Sequence, residues 1–510
     1  MTTAPAKLTP RVEQEDSIVR ILAEPTKAAL IGDETGYGKT LLATEVIVRA
    51  GWKRVLLLGI SATFPQWADR LAAQSDGAIQ LRRLDSTKAG REAFDAFLAG
   101  EPGHYFTTIQ WATAQNNLHR DKTDYAGNKI PKIDRKTGLP TDKFERERVN
   151  LKVYEKMSNR KAGPVDAIIF DESHAIANRD SIGRKTLLSI KTDWKIAMSA
   201  TWSGNRFDFA WSTTRWLWPE LIPAYWTWRE EWCRTETKYV NGGRAVQEVV
   251  GEKEPEGGFV KTLPLYLRRE HDMKAPPAVI VECDSTVEQR AQYEDLKSEL
   301  MTWASSWSGD REPLVVDIPA VLRSRLRQVA LAELSLDQEG KVTFAPNAAS
   351  AKLRALRGVL DRWAGQPVVI MTDSKIYAKL VAARMTAAGY RAEAWTGDSS
   401  QGERQRLKAD FIEGRLPYLV MTVQSGGTGV DGLQFACSKI VWLSIPEGDP
   451  KLVEQALGRV FRPGMTTEYG AFEHVRINMR DSLDTEILEN LLLKGKAIRD
   501  SIGAQALNAA

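Results

Sequence analysis

The sequence predicts an α/β protein made of two doubly wound parallel-sheet lobes with a helical connector between them. Three observations carry that reading. Short aliphatic or β-branched runs alternate with amphipathic stretches before Trp216, the same alternation returns after Ser350, and the chain between loses it. Strands that alternate with helical segments pair in parallel, because each crossover lays a helix back over the sheet. A sheet covered on both faces then needs strands that are apolar throughout.

In chain order, Ala28–Ile31, Arg54–Leu58, Tyr105–Ile109, Ala167–Phe170 and Lys195–Met198 read as the strands of the first lobe, placed at 1–215. Val368–Met371, Arg391–Trp395, Tyr418–Thr422 and Ile440–Leu443 read as those of the second, placed at 346–510. Residues 216–345 carry long mixed-charge segments and are expected to form a helical connector or protrusion, with no third sheet and a loop at Asn241–Gly258. Seven of the 16 tryptophans fall between Trp202 and Trp232 and are expected to pack the connector against the first lobe, with base stacking on exposed indoles as the alternative.

A chain of 510 residues exceeds one core of ordinary size, which agrees with several lobes. It holds no run of about 18 or more apolar residues, and Met1–Pro10 lacks the pattern of an export leader. The expectation is a cytoplasmic protein, bacterial or in a phage-infected cell, that is monomeric and has no membrane partner. Three widely spaced cysteines, Cys233, Cys283 and Cys437, support neither a disulfide framework nor a zinc knuckle. Net charge is only +4, but residues 116–163 carry 13 Lys and Arg against seven Asp and Glu. Such a basic insertion suits a polyanion such as the nucleic-acid backbone.

The chemistry sits in three segments. After the first strand comes Gly32-Asp33-Glu34-Thr35-Gly36-Tyr37-Gly38-Lys39-Thr40, followed by the helical run Leu41–Ala50. Glycines let successive N–H groups converge on phosphate oxygens at a helix N-terminus, with Lys39 reaching the terminal phosphates of ATP and Thr40 ligating Mg²⁺. Asp33 stands where the common phosphate-loop pattern has its first glycine. Asp171-Glu172-Ser173-His174 directly follows the apolar run Ala167–Phe170. There Asp171 can hold the Mg²⁺ shell while Glu172 orients the attacking water. Finally, Gln455, Arg459 and Arg462 in Gln455–Gly464 share one face if the segment is helical, a plausible source of guanidinium charge for a γ-phosphate.

Together these segments resemble the Swi/Snf branch of helicase superfamily two, and the resemblance extends along nearly the whole chain. It implies two RecA-like lobes with an ATP cleft between them. Arg11-Val12-Glu13-Gln14 is similar to the adenine-sensing element, which adds Arg11 and Gln14 to the ATP-binding residues Asp33, Glu34, Thr35, Gly36, Tyr37 and Gly38. The stretch Ser61–Trp67 resembles motif Ia and Thr107-Thr108 motif Ib, so Ser61, Thr63, Thr107 and Thr108 are implied nucleic-acid contacts. Ser199-Ala200-Thr201 resembles motif III, which couples with His174. In the second lobe, Ser374, Gly397, Arg404, Thr422 and Gln424 are implied nucleic-acid contacts, and Gly429 and Asp431 of motif V are implied ATP contacts. Leu267-Arg268-Arg269 is similar to the family's double-arginine strand.

Ser-Ala-Thr at motif III and Val430-Asp431 at motif V are the forms of superfamily-two helicases at large. The resemblance therefore implies a compact ATP-driven motor on double-stranded or branched DNA. A strand-separating DNA or RNA helicase and a non-motor switch ATPase stay open as alternatives.

Overall fold

A computed structural model describes residues 6–34, 36–113, 115–121, 131–133, 140–144, 146–152, 163–203, 206–240, 244–253, 255, 257–270, 274–306, 310–316, 319–427, 432–447 and 449–502. These form two compact units. The first takes the described residues up to Asp33 and Gly38–Arg269; the second takes Glu34–Tyr37 and the described residues from Glu270.

The first unit is built on a seven-stranded sheet. Its order is Tyr266–Leu267, Ala28–Ile31, Thr192–Met198, Val165–Asp171, Arg54–Gly59, Gly103–Thr108 and Leu81–Arg83. Every pairing is parallel. The inner strands Ala28–Ile31 and Arg54–Gly59 are buried at every residue, as expected of a sheet covered on both faces. One face packs against three helices: α1 (Val12–Ala23), α2 (Lys39–Ala50) and α3 (Phe64–Gln74). They contribute Ile18 and Ile21, Leu42 and Val46, and Trp67 and Leu71 to one core with Leu57, Phe106 and Ile169. Each such side chain contributes roughly 1.5–3 kcal/mol on burial.

The second unit carries a six-stranded parallel sheet in the order Val279–Cys283, Glu473–Met479, Lys439–Trp442, Val368–Thr372, Tyr418–Thr422 and Ala392–Trp395. Separate apolar clusters cover its two faces, one around Tyr377, Val381 and Leu360, the other around Phe411, Leu407 and Val460. Two doubly wound parallel sheets are the predicted architecture, and the strand positions match those read from the sequence.

The stretch read as a helical connector is corrected. It does contain helices Tyr225–Trp232, Val287–Glu299 and Pro319–Leu331, but also an antiparallel hairpin, Cys233–Val240 with Arg244–Glu252. A small mixed sheet follows, in the order Arg311–Val315, Met301–Ser305, Ser335–Leu336 and Val342–Thr343. Tyr266–Leu267 and Val279–Cys283 from the same stretch complete the two large sheets. The hairpin is hard to read because Arg234–Lys238 is exposed throughout, so no apolar alternation marks it. In Met301–Ser305 the alternation exists but in small residues: Thr302 and Ala304 are buried while Trp303 is exposed.

Five of the seven clustered tryptophans, Trp202, Trp211, Trp216, Trp218 and Trp228, are buried, so packing accounts for most of the cluster. Trp226 is exposed. In the basic insertion, Gln115–Asp121 pairs antiparallel with Arg146–Lys152, and Pro131–Ile133 with Pro140–Phe144. Among the described residues, no helix is long and apolar enough to cross a membrane.

Candidate nucleotide site and nucleic-acid surface

The phosphate loop leaves the strand Ala28–Ile31 and ends at α2, which begins on Lys39. Gly36 and Gly38 have φ of 92° and 81°, a backbone region costly for other residues. A Cβ on Gly38 would also lie 2.6 Å from the Gln14 amide nitrogen. An α-helix leaves its first N–H groups without an intrahelical acceptor, and α2 begins where the loop ends, an arrangement that suits a phosphate. The Gln14 amide donates to the Gly38 carbonyl at 3.3 Å, and the Arg11 backbone N–H donates to Gln14 Oε1 at 3.0 Å, so α1 rests on the loop. Lys39 Nζ donates to the Asp33 carbonyl at 2.7 Å. Desolvation lowers the Lys39 pKa, opposed by the carboxylates of Glu172, Asp33 and Asp171. Thr40 follows within the first turn of α2. Thr35, Gly429 and Asp431 lie outside the described residues.

Asp33, the departure from the common loop pattern, has a structural reason. Its side chain is fully buried and paired with Arg269, which is 6% exposed. Asp33 Oδ1 accepts from the Arg269 backbone N–H at 2.9 Å and from Nε at 3.1 Å, Oδ2 accepts from Nη2, and Arg269 Nη1 donates to the Glu13 carbonyl at 2.7 Å. A glycine at 33 would remove these carboxylate contacts from a buried guanidinium. Arg268 donates to the carbonyls of Gly32 at 2.8 Å and Ala200 at 3.0 Å. The double arginine therefore joins the phosphate loop to motif III. Both Asp33 and the double arginine stand out in the sequence, but their pairing is not visible there.

Asp171 ends the strand Val165–Asp171, and Glu172 follows with φ 57°, a left-handed conformation unusual outside glycine and costing on the order of 1–3 kcal/mol. That turn lets two consecutive carboxylates serve one site. Burial and the Glu172 carboxylate push the Asp171 pKa up to about 6, against the Trp67 N–H and Lys39, which pull it down. The Ser199 hydroxyl donates to Glu172 Oε2 at 3.3 Å, and the Thr201 backbone N–H donates to Ser199 Oγ at 3.1 Å. His174 Nδ1 lies 3.1 Å from Glu172 Oε2 and 3.3 Å from Ser199 Oγ. The implied coupling residues His174, Ser199 and Thr201 thus form one network around Glu172. Sequence reasoning missed Trp67 as part of the site: its indole N–H donates to Asp171 Oδ2 at 2.9 Å.

In the second unit, the expectation of one helical face for Gln455, Arg459 and Arg462 is corrected. The helix is Pro450–Leu457, capped at Gly458; Arg459 and Arg462 follow in turns, where Arg459 N–H donates to the Ala456 carbonyl and Phe461 N–H to that of Leu457. Gln455 and Arg459 are buried and Arg462 is half-buried. The regular helix ends at Leu457, with Gly458 still right-handed (φ −65°, ψ −2°), so the i+4 and i+7 positions fall in the turns beyond it.

Of the implied nucleic-acid contacts, Ser61, Gly397 and Gln424 are exposed, and Thr108, Ser374 and Arg404 are half-buried. Thr63, Thr107 and Thr422 are buried, and Thr107 is fully so, its hydroxyl turned toward the Leu84 carbonyl, so as a backbone contact it is corrected. Thr422 donates to Ser425 Oγ at 2.8 Å and Thr63 to the Ile60 carbonyl at 2.8 Å; both side chains hold their loops instead of facing solvent. Arg404 is turned onto the Gly397 carbonyl at 3.1 Å, and Ser374 caps the helix Lys375–Ala387. Ser61 accepts from Arg83 at 2.6 Å, a basic residue that no sequence motif marks.

A phosphate loop, a paired-carboxylate strand end and a hydroxyl network on a doubly wound sheet, followed by a second parallel sheet, define a helicase-type ATPase module. Comparison with known proteins agrees. Residues 351–464 match the helicase conserved C-terminal domain, and residues 7–204 match the res subunit of type III restriction enzymes. Protein CHROMATIN REMODELING 24 of Arabidopsis thaliana is 22% identical, covering 92% of this chain and 44% of the relative. An SNF2 domain-containing protein of Oryza sativa subsp. japonica is 21% identical, covering 92% and 49%. The ATP-dependent RNA helicase RhlB of Xanthomonas axonopodis is 24% identical over 35% of this chain and 27% of its own. The Sulfolobus solfataricus SWI2/SNF2 ATPase core in complex with dsDNA aligns with 98% of this chain and 94% of its own at 17% identity and a TM-score of 0.39. The chain is similar to helicases of superfamily two, and to Swi/Snf-type relatives over most of its length. It spans about half the length of the two plant relatives that align over most of it.

Proposed function

We propose that the protein is a nucleic-acid-stimulated ATPase that hydrolyses ATP to ADP and phosphate and uses the cycle to move along or remodel double-stranded or branched DNA. The observation that carries this reading is the convergence, within one unit, of Lys39 and Thr40 at a helix N-terminus with Asp171 and Glu172 at a strand end, Glu172 being wired to motif III through Ser199. Lys39 and the loop N–H groups bind the phosphates, Glu172 orients the attacking water, and Arg459 and Arg462 supply positive charge to the transferring phosphoryl group. Gln14 and Arg11 contact the base.

The donor set fits a hard divalent cation. Thr40 offers a hydroxyl oxygen and Asp171 a carboxylate crowded by a second one, the kind of surplus negative charge that Mg²⁺ neutralises. Those two residues would hold it; when bound, Mg²⁺ supplies charge neutralisation on the phosphate oxygens.

Duplex DNA is favoured as substrate because the two plant relatives that align over 92% of the chain carry chromatin-remodelling or SNF2 names. Backbone contacts by exposed motif residues and the basic insertion make the grip sequence-independent and salt-sensitive. A strand-separating helicase is the second reading, favoured by the RhlB match and the Ser-Ala-Thr form of motif III. Steady-state hydrolysis measured with duplex DNA, single-stranded DNA, branched DNA and RNA tests the proposal. Stimulation by duplex or branched DNA, together with displacement of a third strand from a triplex without unwinding of a plain duplex, is the expected result. Unwinding of the duplex establishes the second reading, and neither activity leaves a switch ATPase.

A further inference from the structure

We infer that α3 is a relay through which a nucleic-acid phosphate at Ser61 and Arg83 acts on the Asp171 carboxylate, with Trp67 as the positioning residue. The inference rests on the ATPase reading above and assigns a route for its stimulation. At the outer end, Ser61 is exposed and opens the 3₁₀ turn Ser61–Thr63 that runs directly into α3. Arg83 donates to Ser61 Oγ at 2.6 Å, lies 5.4 Å over the ring of Phe64, the first residue of α3, and pairs with Asp85 at 3.0 Å. Its side chain remains 30% exposed, so a phosphate can reach the guanidinium beside the serine hydroxyl.

At the inner end, one turn along the same helix, Trp67 is fully buried among Leu42, Val46, Leu57 and Phe106. Its single polar atom, the indole N–H, meets Asp171 Oδ2 at 2.9 Å. A close-packed ring cannot swing away from a helix that moves, so a small rotation of α3 is delivered to the carboxylate through one hydrogen bond. Phe64 against Phe106 at 5.3 Å keeps the start of the helix seated on the sheet. The elements involved, and the distances between them, all lie within the first unit.

Trp67→Phe keeps an aromatic ring and deletes the donor. Expected for this variant are a duplex-DNA affinity like that of the wild type, a stimulation ratio lowered by about tenfold, within the range of ordinary site–site couplings, and a higher Mg²⁺ concentration for half-maximal binding of a fluorescent ADP analogue. Arg83→Ala is expected to weaken DNA binding and to lower the salt slope of log affinity by about 0.9, with full stimulation once DNA saturates. A Trp67→Phe protein that melts at lower temperature but keeps its stimulation ratio and Mg²⁺ dependence overturns the relay, as does an Arg83→Ala protein with unaltered DNA affinity. A wild-type protein that hydrolyses ATP with no response to nucleic acid overturns the functional reading itself, and that is seen before any variant is compared.

Discussion

The two parallel sheets share an architecture and differ in what their strand ends carry. In the first unit the carboxyl ends lead to a glycine loop with Lys39, to the paired acids Asp171 and Glu172, and to the Ser199 hydroxyl. In the second the same ends carry neutral hydroxyl pairs, Thr372 with Ser444 at 2.8 Å and Thr422 with Ser425 at 2.8 Å, and acids paired with basic side chains, among them Asp373, held by Arg327 and Ser444. The helix after Val368–Thr372 begins with a capping serine, Ser374, and no phosphate loop. Doubly wound sheets bind ligands outside the carboxyl ends of their strands whatever the chemistry, so a duplicated fold leaves each lobe free to specialise. The first is equipped to bind and hydrolyse a phosphate anhydride, while the second offers hydroxyls, a serine cap and late arginines.

Each unit also contains an ion pair with a fully buried member: Asp33 with the buried Arg269 in the first, and Lys352 with the partly exposed Asp484, at 2.7 Å, in the second. Removing Arg269 strands the buried Asp33 charge, so Arg269→Met is expected to cost about 3–5 kcal/mol and Asp33→Asn combined with it to recover most of that loss, whereas Lys352→Met, which leaves Asp484 partly exposed and bonded to the Met479 N–H, is expected to cost less. Denaturant melts of the three variants beside the wild type check this. Equal stability in the single variants would mean that neither pair is the constraint its burial implies.

The next effect separates the lobes by chemistry. Lys39→Ala and Glu172→Gln are each expected to lower nucleic-acid-stimulated hydrolysis by at least about a hundredfold, roughly 2.7 kcal/mol, with circular dichroism unchanged. Near-wild-type turnover in either would remove the site from the first unit.

Smaller and of a different kind is the effect of Arg459→Ala and Arg462→Ala in the second unit. About a tenfold or greater fall in kcat, with nucleotide affinity within about twofold, is expected of groups that act on transition-state charge. Weak binding with normal turnover at saturation would make the residue a ground-state ligand and the lobes less specialised than proposed.

The smallest effect concerns the insertion. Lys129, Arg135 and Lys136 lie outside the described residues. Replacing them and Lys132 by Ala is expected to lower the salt slope of log DNA affinity by about 0.9 for each phosphate no longer neutralised, with hydrolysis in the absence of DNA nearly unchanged. An unaltered slope would leave DNA binding to the two sheets alone.

What the sequence by itself determined is what local chain chemistry decides. Continuous apolar runs bounded by turns marked the central strands, and Gly36, Gly38 and Lys39 marked the loop between strand and helix, because hydrogen bonding along a helix and the backbone freedom of glycine depend on near neighbours. The regular helix ends at Leu457, and a helical period carried past it wrongly joins Arg459 and Arg462 to the helix. The polar hairpin Cys233–Glu252 left no period to read. Only the tertiary structure decided that Asp33 answers Arg269 from 236 residues away, that Trp67 holds Asp171 across 104, and that Thr107 faces inward. Such contacts are set by how sheets and helices close on one another: a buried polar group takes whichever partner the fold brings within reach, and its identity is not encoded in the residues beside it.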